Sequence, residues 1–149
     1  MGELVFKQQA AAEYDCAFAH VTRYFMPFVL RAARIASGMR VLDIAAGTGL
    51  SAEAALSAVG PTGHVTAADI SSAMAERARE RLGEASNASV LMEDAQALSF
   101  SEETFDAVVC NLGADVLPRA STGPFGVSSG ASSGRAGGSV GEYGPRALL

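Results

Sequence analysis

The run Val41-Leu-Asp-Ile-Ala-Ala-Gly-Thr-Gly49 constrains this chain more than any other stretch. Its apolar residues close near Ile44, a small-residue loop runs from Ala45 to Gly49, and Leu50-Ser-Ala-Glu-Ala-Ala-Leu56 continues with helical character. Strand, tight loop and helix in that order build a nucleotide site at the carboxyl end of a parallel strand. Small residues let backbone N–H groups come close to a ligand, and the helix N-terminus adds partial positive charge. A lone Gly-x-Gly is a weak signal. Here it gains from Asp43 before the loop and from Asp69, near the spacing of a ribose-binding carboxylate.

At 149 residues the chain forms one domain at most, and 49% hydrophobic residues suffice for a packed core. No apolar run is long enough to span a membrane. The start, Met1-Gly-Glu-Leu-Val-Phe6, lacks the basic-then-apolar order of a signal peptide, so a cytoplasmic location is expected. Cys16 and Cys110 have no metal-ligand spacing and read as reduced core thiols. A net charge of -5 argues against a general nucleic-acid surface, though not against a small cationic ligand.

Residues 1–36 read as a helical segment, with Phe18, Val21, Phe25, Phe28 and Val29 at roughly helical spacing and Pro27 breaking or beginning a segment. Tyr14, Phe18, Tyr24 and Phe25 are either the buried stripe of that helix or a lid over a ligand. Ser37-Gly38 is a turn, Val41 to Ala45 the first strand, and Gly60-Pro61-Thr62-Gly63 ends the next helix. His64 to Ala68 makes a second strand ending at Asp69. Ser71 or Ser72 caps a helix with the stripe Ile70, Met74, Ala78 and Leu82 and a stop at Gly83. Arg77, Arg79 and Arg81 crowd the second half of that helix, where cations suit its dipole, and read as a solvated face. Ser89 to Glu93 and Phe105 to Asn111 are the third and fourth strands. Alternating strands and helices imply a parallel α/β sheet with right-handed crossovers. Three carboxylates follow strand ends, Asp43, Asp69 and Asp94, and in a parallel sheet these ends share one edge.

On these residues the chain resembles class I S-adenosylmethionine-dependent methyltransferases, and is most similar to the ubiquinone and menaquinone biosynthesis C-methyltransferase group. The resemblance runs from about Tyr14 to Leu112. It implies a Rossmann-like doubly wound parallel sheet, incomplete here, with strand order 3-2-1-4, helices on both faces and S-adenosyl-L-methionine as cofactor. It also implies that Gly47, Thr48 and Gly49 line the methionine part, with Asp43 holding the loop or the ligand's ammonium. Asp69 would take the ribose hydroxyls, Ile70 and Met74 would lie against the adenine, and Asp94 with the Ala95 amide would read the adenine edge. Asn111 matches a position near the methionine moiety. At Ala45 the family pattern usually has glycine. The implied reaction moves the sulfonium methyl to a small-molecule acceptor that the sequence leaves unnamed, as it does the general base.

Two other readings stand beside this one. Gly47-Thr-Gly-Leu-Ser-Ala52 also satisfies the G-x-G-x-x-A of an NAD(P)-dependent oxidoreductase, although Asp43 would repel a pyrophosphate. The chain would otherwise be a non-catalytic fragment keeping part of a nucleotide site. Residues 113–149 carry nine Gly, six Ser and three Pro, and read as a disordered tail. Codons of Gly113–Pro118 and Gly126–Ala136 read one base later permit strings like the family's continuation, so a frameshift near Leu112 is expected. Such a tail supplies no fifth strand. It would leave Ala107, Val108, Val109 and Cys110 on an open apolar edge prone to aggregation, in a chain that is not a competent enzyme.

Overall fold

In the computed structural model, which describes residues 2–95, 97–100, 104–111 and 146–148, the apolar runs become parallel strands. They are β1 (Arg40–Ile44), β2 (His64–Asp69), β3 (Ala88–Met92), β4 (Ala107–Val109) and β5 (Arg146–Leu148), in the order β3-β2-β1-β4-β5. β1 and β2 each contain four consecutive buried residues, the pattern of strands covered on both faces. The expected order 3-2-1-4 is therefore present, with β1 pairing β2 on one side and β4 on the other.

The outer edge of β4 departs from expectation. Arg146–Leu148 pairs with it in parallel register, Ala107 opposite Arg146 and Val109 opposite Leu148. Ala107, Val108, Val109 and Cys110 are all buried, so the open edge anticipated from composition is closed here by three residues of the Gly/Ser-rich stretch. A three-residue strand donates and accepts only a few ladder bonds and needs no apolar period, so its sequence carried no signal. The remaining expectation for 113–149, disorder, lies outside the described residues.

The helices α1 (Gly2–Ala32), α2 (Leu50–Val59) and α3 (Ser72–Leu82) pack on one face of the sheet. Val41, Val65, Ala67, Ala107 and Val109 there meet Ala52, Ala55 and Val59 of α2, Leu82 of α3, and Ala33. The opposite face of Leu42, Ile44, Ala68 and Val108 is covered by Phe105, Ala95, Leu98 and Phe100 from the β3–β4 connection. Phe100 and Phe105 meet edge to face at 5.1 Å. Among the described residues no helix lies on this second face; the expectation of helices on both faces falls partly outside them. The connection is rich in isolated large apolar side chains that seal the sheet without a helical period.

α1 also corrects the sequence reading. It runs through Pro27 without ending. Its buried line is Thr22 and Met26, joined by the half-buried Val29 and Leu30 and by Ala33 just past its end, at i, i+4, i+7, i+8 and i+11, while Cys16, expected as a core thiol, is exposed. Packing on both sides of Pro27 fixes the helix direction, which offsets the hydrogen bond proline cannot donate. Phe18, Tyr24, Phe25 and Phe28 are exposed, at 45%, 68%, 47% and 60%. The aromatic stripe is thus not the core stripe, and hydrophobicity alone pointed at the wrong side of the helix. Tyr14's side chain lies outside the described residues. Among those residues no helix is long and apolar enough to cross a membrane.

Candidate functional site

The loop after β1 is held in a conformation L-residues seldom adopt. Ala45, Gly47 and Gly49 have φ of 54°, 56° and 84°. Glycine takes this region freely, whereas an alanine there strains by about 1 kcal/mol. The methyl at Ala45 packs against the second-face core, which fixes it in place. Ala45→Gly should therefore raise stability by about 1 kcal/mol or slightly less, glycine's looser unfolded state offsetting part of the gain. A urea midpoint comparison with wild type checks this.

Gly49 is the N-cap of α2 and provides no side-chain cap for the first turn of the helix. A Cβ at Gly49 would sit 3.1 Å from both Cα and Cβ of Ala78, so α3 presses directly on this end of the loop. The other end is held by β2. Ala46 N–H donates to the Ala68 carbonyl at 3.1 Å, and Gly47 N–H donates to Asp69 Oδ2 at 2.8 Å. Asp69 Oδ1 accepts from Ser71 N–H at 2.9 Å. One carboxylate thereby fixes the glycine loop and the entry to α3 at once. Ser71 Oγ in turn caps α3 by accepting from Met74 N–H.

Asp43 sits on β1 with no exposure, and neither carboxyl oxygen has a hydrogen-bond partner. Burial, and then the negative charge of Asp69, push its pKa up to about 8. The Ala52 N–H lies near enough to oppose this, though outside hydrogen-bond geometry. The expected division of labour is therefore altered: the loop amide is held by Asp69, and Asp43 is left with its acceptors unspent.

The other sequence candidates fall as follows. Thr48 is buried inside the loop. Ile70, which the helical stripe had placed in the core, is 61% exposed just after Asp69, while Met74 is half-buried in the first turn of α3. Asp94 is exposed and Ala95 half-buried beyond β3. Asn111 follows β4, its Nδ2 buried without a partner. All stand at the carboxyl edge of the sheet, where register aligns Asp43 with Ala67 and Val109, and Asp69 with Met92. Direct contacts join the loop, Asp69 and Ser71.

Arg81 was missed. Its side chain is only 18% exposed, and its Nε donates to the Thr48 carbonyl at 2.9 Å while Nη1 lies 3.5 Å from Glu53 of α2. Arg77, by contrast, pairs with Glu80 in the open, as a solvated face should. Three arginines at alternate positions gave no way to tell which one turned inward.

A family model described as a methyltransferase domain matches residues 41–123, more than half of the sequence. The ubiquinone/menaquinone biosynthesis C-methyltransferase of Pseudomonas putida is 40% identical over 110 residues, covering 69% of this chain and 43% of that protein. The enzyme of the same name from Saccharophagus degradans is 36% identical over 110 residues, covering 69% and 44%. The chain thus spans less than half the length of these curated relatives. Among solved structures, an S-adenosylmethionine-dependent methyltransferase of Aquifex aeolicus superposes with a TM-score of 0.52 at 26% identity, covering 57% of this chain and 46% of that one. TrmN of Thermus thermophilus gives 0.52 at 35% identity, covering 57% and 26%. The matched family segment begins at the first core residue of β1 and takes in the loop, Asp43 and Asp69, and on that match the chain belongs to the methyltransferase domain family.

Proposed function

We propose that this chain binds S-adenosyl-L-methionine at the carboxyl ends of β1, β2 and β4, and that its domain serves methyl transfer to a small-molecule acceptor. The observation that carries this reading is the Gly47 amide held on the Asp69 carboxylate at 2.8 Å. A dinucleotide would bring its pyrophosphate to this loop, but the amide that should cradle it already faces a negative charge, with a second carboxyl, Asp43, beneath. A nucleoside carrying an ammonium and a sulfonium suits both acids.

The residues fit that ligand. A fully buried carboxyl with unspent acceptors favours a cation, and the uncapped first turn of α2 offers N–H groups to an α-carboxylate. Asp69 keeps lone pairs for two ribose hydroxyls beyond the two N–H groups it already accepts. Ile70, uncovered just after Asp69, would offer an apolar side chain to the adenine ring, as would the half-buried Met74. Asp94 and the Ala95 amide would read the adenine edge, while Thr48, Gly49 and Asn111 would line the methionine part. Residues 37–112 form the cofactor-binding part in this reading, with 1–36 as a helical segment ahead of it.

Bound S-adenosylmethionine would supply a methyl group already activated by its sulfonium. The protein's work is to hold the ligand rigidly and keep water out, so that positioning accounts for most of the acceleration. Photocrosslinking tests the reading: methyl-labelled S-adenosylmethionine should label peptides between Asp43 and Met74, and excess S-adenosylhomocysteine should suppress it. Label that persists under excess competitor, or lands elsewhere, argues against the site.

A further inference from the structure

We infer that Arg81 is a positioning residue: from α3 it braces the Ala45–Gly49 loop in the shape that receives the ligand. The inference rests on the cofactor reading above and adds to it a residue that no strand-end motif contains.

The loop carries positive φ at three of its five residues, one of them an alanine. Such a segment keeps its shape only where its surroundings over-determine it. Asp69 and the Ala68 carbonyl fix its first half, through Gly47 and Ala46. Its second half is held from α3. Arg81 Nε donates to the Thr48 carbonyl, and the Ala78 backbone stands against Gly49. Ala78 and Arg81 are one turn apart on the same side of α3, so one helix supplies both a steric stop and a charged donor. Nη1 of the same guanidinium reaches Glu53. A single planar fork thus spans the loop and the first turn of α2. An ammonium cannot span both in fixed geometry.

Binding of S-adenosylhomocysteine to the full chain, with amide hydrogen exchange at Gly47, Thr48 and Gly49, tests this in three variants. Arg81→Met keeps the aliphatic stem and removes the donors. Arg79→Met is the control, since Arg79 is exposed in the same last turn and also donates to a carbonyl, Val90, at 3.3 Å, away from the loop. Arg81→Met should bind roughly 10- to 100-fold more weakly, the usual effect of losing a charged, largely buried hydrogen bond, and its loop amides should exchange faster. Arg79→Met should change neither. Arg81→Lys should recover part of the affinity, and it carries the test should Arg81→Met lose its fold. Wild-type affinity in Arg81→Met overturns the inference, as does parallel weakening in Arg81→Met and Arg79→Met that tracks their stability. A wild-type chain that fails to bind S-adenosylhomocysteine overturns the cofactor reading and this inference together.

Discussion

Asp69→Ala should weaken S-adenosylhomocysteine binding by roughly 100-fold or more, because two kinds of hydrogen bond to one carboxylate disappear at once. Those to the Gly47 and Ser71 amides, at 2.8 and 2.9 Å, shape the loop and the entry to α3. Those to the ribose hydroxyls belong to the ligand. The two contributions separate with a 2′-deoxy analogue of S-adenosylhomocysteine: wild type should discriminate against it and Asp69→Ala should not. Asp69→Asn should be nearly as weak as the alanine variant. Both carboxyl oxygens accept from backbone N–H groups, and an amide side chain must turn its NH2 toward one of them. Asparagine with near wild-type affinity would show that shape, not the double acceptor, is what matters here.

The second large effect is on stability against pH. Asp43 ionises near pH 8 in the folded chain and near 3.8 when unfolded. Between those values the folded state holds a proton that the unfolded state releases, so stability falls as pH rises through this window. The slope approaches about 1.4 kcal/mol per pH unit for a single such group. Asp43→Asn removes the titration. It should match wild type near pH 4 and exceed it by several kcal/mol near pH 8.5, measured by urea unfolding. Asp106 acts with the opposite sign in acid: the Arg40 N–H at 2.7 Å, with the guanidinium beside it, lowers its pKa, so its contribution is lost as pH falls. Saturating S-adenosylhomocysteine should flatten the Asp43 slope, because an ammonium at the loop favours the ionised form. A wild-type profile flat from pH 5 to 8 would mean that Asp43 is already ionised in the ligand-free protein.

The carboxyl edge of the sheet was legible in the sequence because its signals are local. Val41 to Ile44 is apolar, the following small residues force a tight loop, and Asp69 closes the next apolar run. Parallel strands followed from alternation and handedness, and their order from the family resemblance. What escaped depends on partners distant in the chain. Arg81 reads like Arg77 and Arg79 until α3 is packed against the loop, 33 residues away. The buried side of α1 is lined by Thr22, Met26 and, just past its end, Ala33, less hydrophobic than the exposed phenylalanines, so periodicity found the helix and missed its orientation. β5 is too short to have a period, and the second face rests on Leu98, Phe100 and Phe105, which look like scattered loop residues until the sheet is built. Ala45 stood out in the sequence only as a departure from the family's glycine, whereas its φ of 54° makes it a point of strain.

The central claim is that the loop beside Asp69 and the buried Asp43 takes a cationic nucleoside and not a dinucleotide. Parallel calorimetric titrations of the full chain with S-adenosylhomocysteine and with NADH test it most directly. The account predicts saturable binding of S-adenosylhomocysteine, lost in Asp69→Ala, and no measurable binding of NADH. NADH binding tighter than S-adenosylhomocysteine, or S-adenosylhomocysteine binding untouched by Asp69→Ala, would contradict it.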